Sequence, residues 1–195
     1  MKVHFLYLAA GFSRRYGGNK LLDHVIEGRP MYRILLDRLI DLLETGAVKG
    51  DLVLVTQYEE ILQQTAELDI YTAVNPDPGR GISSSLQTGI QALQERGSIG
   101  EEDFLVCFTA DQPYLTKETV LSFLKGITES GKTLGCVSDG RELGNPCAFG
   151  AEWIPALMEL TGDRGGKRIL RMHPEEVYVY VGAQSEELND IDLKQ

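Results

Sequence analysis

Apolar and polar positions along this chain follow two rhythms that take turns. Val3–Leu8 is a short unbroken apolar run, the pattern of a strand covered on both faces. Pro30–Glu44 repeats apolar residues at helical spacing, so a helix is predicted there. Asp51–Thr56 reads as a buried strand, Tyr58–Glu67 as a helix and Ile70–Val74 as a further strand. In Ile82–Glu95 the apolar positions 82, 86, 90 and 93 form one stripe of a helix. Phe104–Phe108 predicts a central parallel strand, and Lys117–Thr128 a helix with Thr116 as N-cap and Glu118 in its first turn. Leu134–Val137 is a strand, Glu152–Leu160 and Gly166–Met172 are short helices, and Val177–Val181 closes the sheet.

Strands alternating with helices predict an α/β fold: a three-layer α/β/α sandwich around a mostly parallel, mixed sheet, with residues 1–195 as one domain. Ligands of such sheets bind outside the carboxyl ends of the strands. The segment LAAGFSRRYGGNK, Leu8 to Lys20, begins at one such end. It lacks the spacing of a Walker A loop and of a dinucleotide fingerprint. Its small residues Ala9, Ala10 and Gly11 let a ligand approach the backbone, and successive N–H groups there can cradle an anion. Arg15 offers a planar fork for phosphate oxygens, and Lys20 a mobile point charge.

Composition narrows the partners. The 195 residues carry a formal net charge of −10 with no basic block, which argues against nucleic acid. No apolar run approaches the ~20 residues of a membrane span, so a cytoplasmic protein is expected. Cys107, Cys136 and Cys147 are odd in number and lack CxxC pairing, the usage of buried thiols in a reducing compartment. His4, His24 and His173 show no metal-ligand spacing. Asp111 follows the Phe104–Phe108 strand and precedes Pro113, a place where a carboxylate either caps the next helix or binds a metal. Arg164, Lys167 and Arg168 form the most compact basic cluster of the C-terminal half; they are exposed helix-end charges or a receiver for an anion.

The segment Leu8–Lys20 resembles the LAAGxSxRxGxxK signature of the nucleotidyltransferases that work on molybdenum cofactor, a group with a Rossmann-like fold. The likeness continues in order through Asn75-Pro76 with Gly81–Leu86, Asp111-Gln-Pro113, Gly144-Asn-Pro146 with Phe149, Gly162–Lys167 and Asn189-Asp-Ile-Asp192. The chain departs from the pattern at Tyr16, Asn145 and Lys167. The resemblance implies nucleotide contacts from Leu8, Ala9, Ala10, Gly11, Ser13, Arg15, Gly17, Lys20, Asn75, Gly81, Ser84 and Ser85. It implies Arg15, Lys20 and Asp111 as catalytic residues, and Mg²⁺ on Asp111 and Asp192, with Asp190 as the alternative to the latter.

The reaction so implied is attack by an acceptor phosphate on the α-phosphorus of an NTP, with release of pyrophosphate. Such a nucleophile is anionic at neutral pH and needs no base, in keeping with histidines that lie outside the motifs. Ala10 and the Gly81–Ser85 segment are similar to those of the cytidylyl members, so CTP is the expected nucleotide. The expected acceptor is a molybdopterin-type phosphate received by Arg164, Lys167 and Arg168, with a molybdoenzyme as a possible client. Two other classes share these features. A pyrophosphorylase for a sugar or polyol phosphate differs in its product, and a non-catalytic maturation chaperone differs in releasing no pyrophosphate.

Overall fold

The structure, a computed structural model, describes residues 1–13 and 18–191. In chain order the elements are β1 (Val3–Ala9), β2 (His24–Ile26), β3 (Arg29–Pro30), α1 (Met31–Glu44), β4 (Leu52–Thr56), α2 (Glu59–Thr65), β5 (Tyr71–Val74), α3 (Ile82–Glu95) and β6 (Phe104–Thr109). Then follow α4 (Lys117–Ser130), β7 (Leu134–Ser138), β8 (Leu143–Gly150), α5 (Ile154–Met158), α6 (Lys167–Met172) and β9 (Val177–Tyr180). Seven strands form one sheet in the order β5-β4-β1-β6-β8-β7-β9, while β2 and β3 make a separate small hairpin.

Every pairing in the large sheet is parallel except the two made by β8, which runs antiparallel between β6 and β7. The apolar runs of β1 and β4 are buried at every position, as strands covered on both faces must be. Side chains alternate across β1: Phe5 and Tyr7 join the core on one face, Leu6 and Leu8 the core on the other. The first core takes the stripes of α1 and α4, and the second takes those of α3, α5 and α6. These are the three expected layers.

Two details show why the helices sit where they do. Thr116 caps α4 by accepting a hydrogen bond from the Thr119 amide, as its sequence position predicts. Gly89 lets α3 lie close on the sheet, since a Cβ there would come within 2.9 Å of both Leu6 and Val55. At the amino ends of the strands a fully buried His4 stands between two carboxylates, 3.1 Å from Asp51 and 3.3 Å from Asp103. Asp103 also accepts from the amides of Lys2 at 2.5 Å and Gly100 at 2.8 Å.

The sequence pattern misses β8 and the β2–β3 hairpin. Gly144 and Pro146 are poor strand residues, and Pro146 has no N–H to give. The ladder adjusts to that: β8 pairs with β6 only from Cys147 onward, and its register with β7 shifts between Cys136 and Ser138. The predicted helix over Glu152–Leu160 opens as a 3₁₀ turn, Ala151–Trp153, before α5. Among the described residues no helix is long and apolar enough to cross a membrane.

Candidate active site

The carboxyl ends of β1 and β6 carry a pair of loops that meet. After β1 the chain turns through Gly11 and Ser13 and re-enters at a 3₁₀ turn, Lys20–Leu22. Asn19 caps that turn by accepting from the Leu21 amide at 3.2 Å. Ser13 has a left-handed φ of 49° and its hydroxyl accepts from the Lys20 amide at 3.3 Å, which closes the loop on itself. Lys20 extends to the loop after β6, where its Nζ lies 3.0 Å from Asp111 Oδ2.

The back of the β1 loop is fastened by three consecutive residues that follow β4. Thr56 Oγ1 donates to the Ala9 carbonyl at 2.8 Å, Gln57 Nε2 to that of Ala10 at 2.7 Å, and the Tyr58 hydroxyl to that of Gly11 at 2.6 Å. In a trans peptide the N–H points opposite its carbonyl. Fixing these three oxygens therefore fixes the amides of Ala10, Gly11 and Phe12 in the opposite direction. Among the described residues a Cβ at Gly11 would meet nothing within 4 Å, so these leave the loop open there to a ligand.

A cleft of about 450 Å³ lies against this loop, lined by Leu8, Ala10, Gly11, Ser13 and Lys20, by Gly81 and Ser85 at the start of α3, and by Asp111. Gly81 has φ +86°, and a Cβ there would overlap Asp163 and the Gly162 carbonyl. Three other expected nucleotide contacts line neither this cleft nor the second one described below. Ala9 is buried in the sheet. Asn75 is 2% exposed and donates to both Ser84 Oγ and Ser85 Oγ at 2.9 Å, fastening the first turn of α3. Ser84 in turn donates to the Gly81 carbonyl. Arg15, Gly17 and Asp192 lie outside the described residues.

A second cleft of about 680 Å³ adjoins the first. Arg164, Lys167 and Arg168 line it, joined by Arg171, with Cys107, Cys147 and Phe149 beneath. The three cysteines stand in one row across β6, β8 and β7, because Cys147 is in register with Cys107 on one side and Cys136 on the other. Burial pushes the Cys147 thiol up to about 12 and the Cys136 thiol up to about 11, so both are protonated at neutral pH. Leu8, Ile82, Thr109 and Asp163 line both clefts and form the boundary they share. Thr109 escapes the sequence reading, and Asp163 enters it only as a member of the Gly162–Lys167 motif, with no role assigned. Thr109 carries one signal, standing two positions beyond Cys107 and hence on the same strand face.

The donor set at Asp111 suits a hard cation. Asp111 Oδ2 meets Lys20, while Oδ1 is buried with no hydrogen-bond partner among the described residues. Mg²⁺ and Mn²⁺ accept one or two carboxylates and complete their sphere with phosphate oxygens and water. Thr116, not Asp111, caps α4, which removes the competing role for this carboxylate. The main chain of the C-terminal segment reaches the same loop, since the Ile191 amide donates to the Asp111 carbonyl at 3.1 Å and Asp190 precedes it.

Comparison with known proteins bears on the fold and the family. No curated protein sequence matches the chain. A nucleotidyl transferase from Methanothermobacter thermautotroptrophicus superposes with a TM-score of 0.76 at 20% identity, covering 98% of this chain and 92% of that one. Rv0371c of Mycobacterium tuberculosis H37Rv, solved as a complex with manganese, gives 0.66 at 20% identity over 92% and 87% of the two chains. A CMP:2-keto-3-deoxy-manno-octonic acid synthetase complexed with CTP gives 0.72 at 13% identity over 99% and 94%. These likenesses share the fold. The family model of the MobA-like NTP transferase domain matches residues 5–177, a span that runs from β1 through both clefts to the start of β9, and the chain belongs to that family of nucleotidyltransferases.

Proposed function

We propose that this chain, acting as one domain, transfers CMP from CTP to the phosphate of a molybdopterin-type acceptor and releases pyrophosphate. The observation that carries the reading is the Lys20–Asp111 pair in a small-residue cleft that shares lining residues with a second, basic one. The triphosphate lies along the amides of the β1 loop, with Lys20 and Arg15 on the oxygens of the leaving pyrophosphate. The acceptor phosphate is held by Arg164, Lys167 and Arg168. One of its oxygens attacks the α-phosphorus across the shared boundary; a new P–O bond forms there as the bond to the β-phosphate breaks. No proton need be removed from this nucleophile, so the residues act by positioning and by neutralising charge.

Asp111, with Asp192 or Asp190, would hold Mg²⁺, which supplies charge neutralisation at the α-phosphate when bound. The manganese complex of Rv0371c supports a divalent ion, and the CTP complex of the octonic acid synthetase supports the base. Ala10 beside the cleft supports the same choice. The test is pyrophosphate release with Mg²⁺ from CTP, GTP or ATP against a pterin phosphate, sugar phosphates and polyol phosphates. Release with CTP and the pterin phosphate is expected. Release only with a sugar or polyol phosphate would replace the acceptor, and binding without any release would replace the enzyme by a maturation chaperone serving a molybdoenzyme client.

A further inference from the structure

Residues 184–191 cross the loop that carries Asp111 and are fastened to it at three points. Glu187 is 8% exposed, and its Oε2 accepts from the Thr116 amide at 3.0 Å and the Thr116 hydroxyl at 2.8 Å. Its Oε1 accepts from the Gln184 amide at 3.2 Å, closing a capping box on the 3₁₀ turn Ser185–Leu188. Gln112, 4% exposed and next to Asp111, donates through Nε2 to the Leu188 carbonyl at 3.2 Å. Ile191 gives its amide to the Asp111 carbonyl at 3.1 Å and buries its side chain in the first core.

We propose that Glu187 is a positioning residue for the cation centre at Asp111, acting as the anchor that lays the C-terminal segment across the Asp111 loop. The inference rests on the metal reading given under the proposed function. A buried carboxylate with three donors on it is a costly group to place unless each donor is met, and here all three are. Two of those donors belong to Thr116, five residues beyond Asp111, and the third to the segment's own first turn. The anchor therefore fixes the distance between the loop and the segment. Two carboxylates flank Ile191 in sequence, and the amide between them is the one hydrogen-bonded to Asp111. Setting that amide sets where Asp190 enters the neighbourhood of Asp111. In Glu187→Gln one acceptor becomes an NH₂ facing a backbone N–H or the Thr116 donors, so one weld opens without loss of volume.

The test uses the whole chain and two readouts apart from turnover. Mn²⁺ binding is followed by loss of the free-ion EPR signal, and hydrogen exchange follows the Ile191 amide. Glu187→Gln should weaken Mn²⁺ about 5- to 20-fold and speed exchange at Ile191, with nucleotide affinity in the absence of metal within about twofold of wild type; this range is a part of what one charge-assisted hydrogen bond is worth, the ion feeling the anchor only through the segment. Gln112→Met removes the second weld without touching charge and should show the same defect, about 2- to 5-fold; it decides the matter if Glu187→Gln does not fold. Folded variants that bind Mn²⁺ as wild type does overturn the inference alone, provided Asp111→Asn has lost the ion. A wild type that takes up no Mn²⁺ removes the metal reading and this inference with it.

Discussion

Lys20 Nζ stands 3.0 Å from Asp111 Oδ2, a contact between groups 91 residues apart that joins the loop after β1 to the loop after β6. Each charge holds the other near the point where a triphosphate and its cation would divide them, Lys20 taking phosphate oxygens and Asp111 the cation. Lys20→Ala should lower pyrophosphate release about 10²- to 10³-fold, the usual effect of removing one preorganised donor. Asp111→Asn should abolish metal-dependent release. The Lys20 side chain is 11% exposed and that of Asp111 25%, so either change removes one partner of a largely buried ion pair and costs about 1–3 kcal/mol in urea unfolding. Wild-type turnover by a folded Asp111→Asn would remove the carboxylate from the reaction.

The clamp behind the β1 loop gives a second expectation. Tyr58→Phe deletes the hydroxyl that holds the Gly11 carbonyl and little else, because the contact is at the surface. Nucleotide KM should rise about 3- to 10-fold as the peptide loses one fixed hydrogen bond, with kcat nearly unchanged. Stability should stay within about 0.5 kcal/mol. An unaltered KM would mean that Thr56 and Gln57 suffice to orient the loop.

Base choice is tested without any acceptor. In Mg²⁺, CTP should raise the melting temperature more than GTP at equal concentration, since a ligand that binds only the folded chain stabilises it in proportion to its affinity. A larger shift with GTP would show that Ala10 and the Gly81–Ser85 segment admit a purine.

The clasp at the far end of the sheet predicts a pH dependence. Burial alone would raise the Asp103 pKa, but the amides of Gly100 and Lys2 and the imidazole of His4 outweigh it and hold the carboxyl below the usual carboxylate range. A depressed folded pKa contributes stability above the unfolded value of about 3.9 and loses it as pH falls through the folded one. Asp103→Asn should cost about 1–3 kcal/mol at pH 7. The gap from wild type should close below about pH 4, with turnover at pH 7 unaffected. Urea unfolding at both pH values measures it. A gap of constant size would assign the contribution to shape and not to charge.

The parts legible in the sequence are those written in local periodicity or in one loop's composition. The stripe of Ile82–Glu95 and the Thr116 cap are local, and both stand in the structure as the sequence predicts. Asp111 is likewise legible as a carboxylate just past a strand, Lys20 as a cation in the glycine-rich segment that follows one, and the basic cluster as charges at a helix start. The rest arises where distant segments meet. The Thr56–Tyr58 clamp exists because β4 runs parallel beside β1, so residues leaving one strand face residues leaving the other. Glu187 reaches Thr116 across 71 residues, a pairing that no spacing rule encodes. Asn75 illustrates the converse: a polar residue in a motif-like segment reads as a ligand contact, whereas its amide is engaged by two serines of the adjoining helix turn.

The reversed strand β8 has a bearing on how such a scaffold acquires new acceptors. Its neighbours bring the ends of strands to the working edge, whereas β8 brings a beginning: Leu143 to Pro146 lie at that edge before the strand enters the core at Cys147. Loops leaving β1 and β6 are committed to the first cleft, so altering them risks the chemistry itself. Residues arriving through Asn145 line only the second cleft of the two. On the function proposed above, mutational drift there, or grafting of this short stretch from another member, would change acceptor shape while the loops assigned to the triphosphate keep their form.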